Sequence, residues 1–165
     1  MTLCIGQWEV DADVEATRAV YRHTSRGSPG DCDCLYCRNF AALGDSAFPP
    51  SFLELANALG IDHRKAAEVY ECGEFRDGRV DYGGWFHFVG TIKAGAMTAT
   101  ASGILAEWPW HRLTENFKIV LDRLRDIAFA EFDDYPLVRL VFDANVPWVV
   151  AEPYPQPFQI EKGNQ

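Results

Sequence analysis

Three of the chain's five cysteines fall in one short stretch, Cys32-x-Cys34-x-x-Cys37, within DCDCLYCRNF and directly after the Gly/Ser/Pro turn of SRGSPGD. Three closely spaced thiols, once ionised, offer the soft sulfur donors that zinc or an iron–sulfur centre takes. A four-coordinate zinc needs one more ligand, and no second pair of cysteines at knuckle spacing follows. His23, on the far side of the turn, is the best candidate to fold back as the fourth ligand. Asp31, Asp33, Cys72 or water are the others. A second chemistry uses Cys34 and Cys37 as a Cys-x-x-Cys redox pair at a helix start, where the helix dipole favours a thiolate. Asp31 and Asp33 are expected to raise thiol pKa values and to help a dication bind, which favours metal over redox. A third reading has no chemistry: buried thiols in a helix-capping loop, with Asp33 as the cap and Phe40 as a core anchor. The three readings stay open on the sequence alone. Cys4 and Cys72 read as isolated, buried small residues.

Two other stretches can form a site. In YGGWFHFVG, residues 82–90, a strand turns Trp85, His87 and Val89 to one face, and His87 can act as a base or ligand in a pocket walled by Trp85. More ordinarily, such a histidine is packed and hydrogen-bonded within a half-buried sheet. In AEWPWHR, Trp108 and Trp110 flank Pro109 and suit a binding rim, or else cap the end of a sheet. Asp133-Asp134 reads as a turn before Pro136. No phosphate loop, nucleophile elbow or His-Glu-x-x-His helix is present, so no residue is assigned a catalytic role.

The elements that must position these residues follow from periodicity. Residues 3–10 read as a strand and 11–23 as a helix with an acidic first turn. Residues 35–43 repeat Tyr36, Phe40 and Leu43 at helical spacing. Pro49-Pro50 and Gly60 bracket a helix whose apolar face is Phe52, Leu55, Ala56 and Leu59. Beyond residue 65 the pattern alternates. Residues 67–75 and 80–92 form a hairpin around Asp77-Gly78, and strands are predicted at 97–105, 117–121, 127–132 and 137–150. Residues 116–129 can instead be drawn as one helix. The sum is an α+β domain over residues 1–152 with short N-terminal helices and a mainly antiparallel sheet, followed by an extended Pro-rich tail over 153–165. Such a sheet can leave one face open to a ligand.

The 165 residues are 48% hydrophobic and 13% aromatic, enough for one domain with a full core. Fifteen basic against twenty-four acidic residues give a net charge of −9, which opposes binding to nucleic acid or an anionic membrane. No apolar run is long enough to span a bilayer, and MTLCIGQWEVDAD turns acidic too early for a secretory signal, so the cytoplasm is the expected compartment.

The combination of CxCxxCRNF, GIDHRKAAEVYE and YGGWFHFVG resembles an uncharacterised family of small bacterial proteins, over most of the chain. The resemblance implies a cytoplasmic bacterial protein and carries no catalytic residues across. Together these readings point to a non-enzymatic domain that binds a protein or small-molecule partner, with a cysteine cluster for structural zinc. The alternative is a thiol redox protein.

Overall fold

The computed structural model describes residues 1–28, 30–96, 99–100, 103–104, 107–126 and 128–155. Its chain order is β1 (Thr2–Ile5), β2 (Trp8–Ala12), α1 (Val14–His23), α2 (Leu35–Leu43), a 3-10 turn (Gly44–Ala47), α3 (Pro50–Leu59), β3 (Glu68–Arg76), β4 (Arg79–Ala94), β5 (Ala99–Thr100), β6 (Gly103–Ile104), β7 (His111–Thr114), β8 (Phe117–Asp122), a 3-10 turn (Ala130–Phe132) and β9 (Leu137–Pro147). Seven strands form one antiparallel sheet in the order β1-β2-β4-β9-β8-β7, with β3 also paired to β4. The fold is α+β: the β1–β2 hairpin comes first, then the helices, and then the remaining strands.

Strand β4 organises the sheet. One edge pairs with β9 from Arg79 to Val89. The other is shared, β3 taking its first half and β2 its last residues. Helix α1 fills the gap between those two partners. The Asp13 amide donates to the Val89 carbonyl at 2.8 Å, the Val89 amide to the Thr17 hydroxyl at 3.0 Å, and the Tyr21 hydroxyl to the His87 carbonyl at 2.9 Å. A buried sheet edge must find such partners, because an unpaired backbone group out of water costs as much as a lost hydrogen bond. Thr17, Val20 and Tyr21 are accordingly the buried stripe of α1.

The two faces of the sheet differ. Under α2 and α3 the core is aromatic. Phe52 is fully buried and its ring lies 4.9 Å from Phe117 and 5.7 Å from Phe86, while Phe40 and Phe48 approach Phe142 at 6.1 and 5.8 Å. Each such ring contributes about 2 to 3 kcal/mol through burial. Gly84 makes this face possible, since a Cβ there would stand 2.5 Å from the Phe142 ring. On the opposite face Gly83 is roofed by Tyr70 in the same way.

Several expectations are corrected. Residues 3–10 are not one strand but a hairpin turning at Gly6-Gln7, and the helix begins at Val14 because the Asp13 side chain caps it, accepting from the Ala16 amide at 3.0 Å. The drawing of 116–129 as a helix is overturned by β8. The strand predicted over 127–132 contains a 3-10 turn at Ala130–Phe132 instead, and Ile127 lies outside the described residues. The strand predicted over 97–105 contains two short strands that pair with each other, with Met97, Thr98, Ala101, Ser102 and Leu105 outside the described residues. The AEWPWHR stretch leads into an unforeseen edge strand, β7. Asp77 and Gly78 both take positive φ, 52° and 73°, as the predicted two-residue hairpin requires. Of the tail, 156–165 lie outside the described residues. Tyr154 packs edge-on against Tyr36 and Trp148, at 5.7 and 5.2 Å. No helix among the described residues is long and apolar enough to cross a membrane.

Candidate functional site

The three cysteines meet at the amino end of α2. Cys34 is the N-cap residue, extended at φ −66°, ψ 158°, and its sulfur accepts from the Cys37 amide at 3.5 Å. Cys37 is the third helical residue, so its Cβ tilts back toward the helix start and over the cap. Cys32 completes the group from two residues before the cap. The sulfurs of Cys32, Cys34 and Cys37 lie within 4.8 Å of one another. Four sulfurs around zinc at about 2.3 Å stand roughly 3.8 Å apart, so a small side-chain adjustment brings these three to a common ion. Cys32 and Cys34 are exposed and Cys37 is half-buried, which corrects the expectation of buried thiols.

Cys34 and Cys37 are shifted in opposite directions. At Cys34 the cost of desolvation is outweighed by hydrogen bonds from the Cys37 amide, from the Cys32 and Cys37 thiols and from the Tyr36 backbone, and its pKa falls below the usual thiol value. At Cys37 burial comes first, and the hydrogen bonds and charges of Cys32 and Cys34 add to it, holding the thiol well above its usual value. The acidic neighbours therefore do not set the ionisation of Cys34, contrary to the sequence argument. One of them, Asp31, is engaged elsewhere, 3.2 Å from the Arg26 guanidinium.

His23 is exposed and does not join the sulfurs. It closes α1, with its Nδ1 2.8 Å from the Ala19 carbonyl oxygen. Cys4 and Cys72 are also apart from the cluster, and both are exposed rather than buried.

The His87 region is sealed. His87 is 0% exposed, pairs across the sheet with Arg139, and has the Phe132 ring 6.2 Å away. Among the described residues neither ring nitrogen has a hydrogen-bond partner. Burial, then the Arg139 charge, pull its pKa down to about 4, against a smaller opposing effect of the Leu124 backbone. Arg139 itself is 4% exposed and grips the buried Asp122 carboxylate with two bonds, Nε to Oδ1 at 2.9 Å and Nη2 to Oδ2 at 2.6 Å. It stacks over Trp85 at 5.2 Å, and the Trp85 indole donates to the Asp126 carbonyl at 3.0 Å. The sheet face expected to be open is thus closed at its centre by α1 and the segment after β8, and His87 does not open into a pocket walled by Trp85. Trp108 and Trp110 lie elsewhere, beside the edge strand β7. Their rings are 5.6 Å apart, with the Lys118 ammonium 4.8 Å over Trp110.

A cleft of about 310 Å³ was not foreseen. Phe40, Ala41 and Phe48 line it together with Arg26, His63 and Arg64. On its rim the Asp45 carboxylate takes His63 Nε2 at 2.9 Å and Arg64 Nε at 3.4 Å, and these bonds hold the Asp45 pKa below the usual carboxylate value. Three separate loops and α2 build it, so no local spacing in the sequence announces it. No family model, curated protein or solved structure matches the chain.

Proposed function

We propose that the chain is a non-enzymatic binding protein in which Cys32, Cys34 and Cys37 hold a soft dication, zinc, as a staple between the loop after α1 and the start of α2. The observation that supports this is the convergence of three sulfurs within 4.8 Å, two of them open to solvent. Zinc would draw protons from all three thiols, and water would complete its coordination. The partner is a protein or small molecule. The cleft beside α2 supports the second, and Arg26, which lines it, is tied to Asp31 next to the cluster. A net charge of −9 argues against nucleic acid or anionic membrane as partners. A reducing compartment such as the cytoplasm would keep the thiols available. Metal analysis of protein purified without added metal tests the staple: about one equivalent in wild type and loss in Cys34→Ser support it, and less than about a tenth of an equivalent in both removes it.

The depressed pKa of Cys34 favours a second reading, thiol exchange through Cys34 and Cys37. It predicts a reversible Cys34–Cys37 disulfide and alkylation of Cys34 at pH 7 well above the rate of Cys4. Uniformly slow labelling ends it.

A further inference from the structure

Every cysteine and histidine of the chain falls among the described residues, so each sulfur and imidazole has a known place. Only three converge. Cys4 pairs opposite Glu9 in the first hairpin and Cys72 lies on β3. His23 is bonded to the Ala19 carbonyl, His63 to Asp45, and His87 is enclosed in the core. The His111 ring packs so closely on the first hairpin that a Cβ at Gly6 would stand 2.6 Å from it. Closed structural zinc sites are completed by a fourth cysteine, histidine or carboxylate, and a site with three protein donors leaves the fourth position to water. Among the described residues no imidazole and no carboxylate, Asp33 included, joins the three sulfurs within 4.8 Å, and Asp31 is paired with Arg26. The donor set is therefore a trigonal one.

Resting on the three-thiolate reading above, we propose that Cys32, Cys34 and Cys37 select a trivalent thiophilic metalloid, of which arsenic(III) is the type, in preference to zinc. Such an ion is satisfied by three sulfurs in a pyramid and has no need of a fourth donor. Charge points the same way. Three thiolates around a divalent ion leave one negative charge, beside Asp33 and on a chain that already carries −9, whereas a trivalent centre leaves none. The helix start offsets only about half a charge. Binding is a ligand exchange without oxidation or reduction. Arsenous acid loses three hydroxyls, each leaving as water with one thiol proton, while three As–S bonds replace three As–O bonds. The two exposed sulfurs give the incoming ion a way in, and the half-buried Cys37 closes the set.

The test uses the full reduced chain, arsenite and zinc. Native mass spectrometry is expected to show one arsenic bound with loss of three hydrogens. Cys32→Ser, Cys34→Ser and Cys37→Ser should each weaken arsenite binding by about tenfold or more, while Cys4→Ser, Cys72→Ser and His23→Ala leave it unchanged. Circular dichroism of each variant confirms that the fold survives. With zinc and arsenite at one equivalent each, arsenic should displace zinc. Zinc retained against equimolar arsenite, arsenite binding unaffected by Cys37→Ser, or zinc binding weakened by His23→Ala would each overturn the proposal while leaving a metal site in place. Binding of neither ion would overturn the metal reading as well.

Discussion

The thiol cluster at the start of α2 and the His87–Arg139–Asp122 group in the sheet both gather ionisable side chains and are placed in opposite ways. The cluster is local in sequence, built on a helix cap and open to water. The buried group draws on three strands, and its charges are desolvated and paired. The first can exchange protons and ligands with little disturbance of the fold. The second is tied to stability, because any change of its charge state leaves an uncompensated charge in the core. Reactive residue types mark a site only where solvent or a ligand can reach them.

Four changes would break or sharpen that contrast. The largest expected effect is at Arg139: Arg139→Leu removes both guanidinium bonds from the buried Asp122 carboxylate and should cost about 3 to 5 kcal/mol in urea unfolding. Replacing Asp122 by Leu in the same chain should restore much of that loss. If Arg139→Leu alone unfolds within about 1 kcal/mol of wild type, the buried pair has no such role.

Acid comes next. His87 in the folded chain has a pKa near 4, below the ordinary value of 6.5, so it stays neutral when folded and takes up a proton when unfolded. Its contribution is complete above pH 6.5 and is lost as pH falls toward 4, about 3 kcal/mol in all. Unfolding curves across that range should show the loss, and His87→Leu should flatten it. An unchanged slope in His87→Leu would mean that another group titrates.

A smaller effect is expected at Asn39, the link between α2 and the end of β9. It is fully buried, its amide donates to the Pro147 carbonyl at 3.2 Å, and its carbonyl accepts from the Val149 amide at 2.7 Å. Asn39→Ala should cost about 2 kcal/mol. The smallest effect on stability belongs to the cluster itself: Cys34→Ser should shift metal-free unfolding by less than about 0.5 kcal/mol while abolishing metal binding. A loss of several kcal/mol without metal would make the cysteines structural.

The parts of the fold that followed from sequence are those where one residue has few conformational options. Asp77-Gly78 demanded a hairpin, and Gly60, at φ 78°, ended α3 as predicted. The first hairpin was missed because Gly6-Gln7 interrupts residues that still alternate, and β7 because Trp108-Pro109-Trp110 reads as a loop. Alternation along residues 137–150 turns Arg139 to the face opposite Val138 and Leu140, but does not tell that the segment after β8 covers it. Whether a face is covered depends on contacts far apart in sequence, such as the Trp85 indole on Asp126. The cysteine spacing was local, so the convergence at α2 could be anticipated. The ionisation of Cys34 could not, since it depends on which amide and thiols point at the sulfur. Cys4 and Cys72 are exposed against the general preference of cysteine for the interior, while Ile5 and Val69 on the same strands are buried, because successive side chains of a strand point to opposite faces.

The central claim is that three thiolates of one helix cap hold one ion. X-ray absorption at the zinc edge, on the reduced chain loaded with one equivalent of zinc, reads the donor set directly. The account predicts three sulfurs at about 2.3 Å and a single light atom from solvent. A first shell of nitrogen and oxygen alone, or one with fewer than three sulfurs, would contradict it.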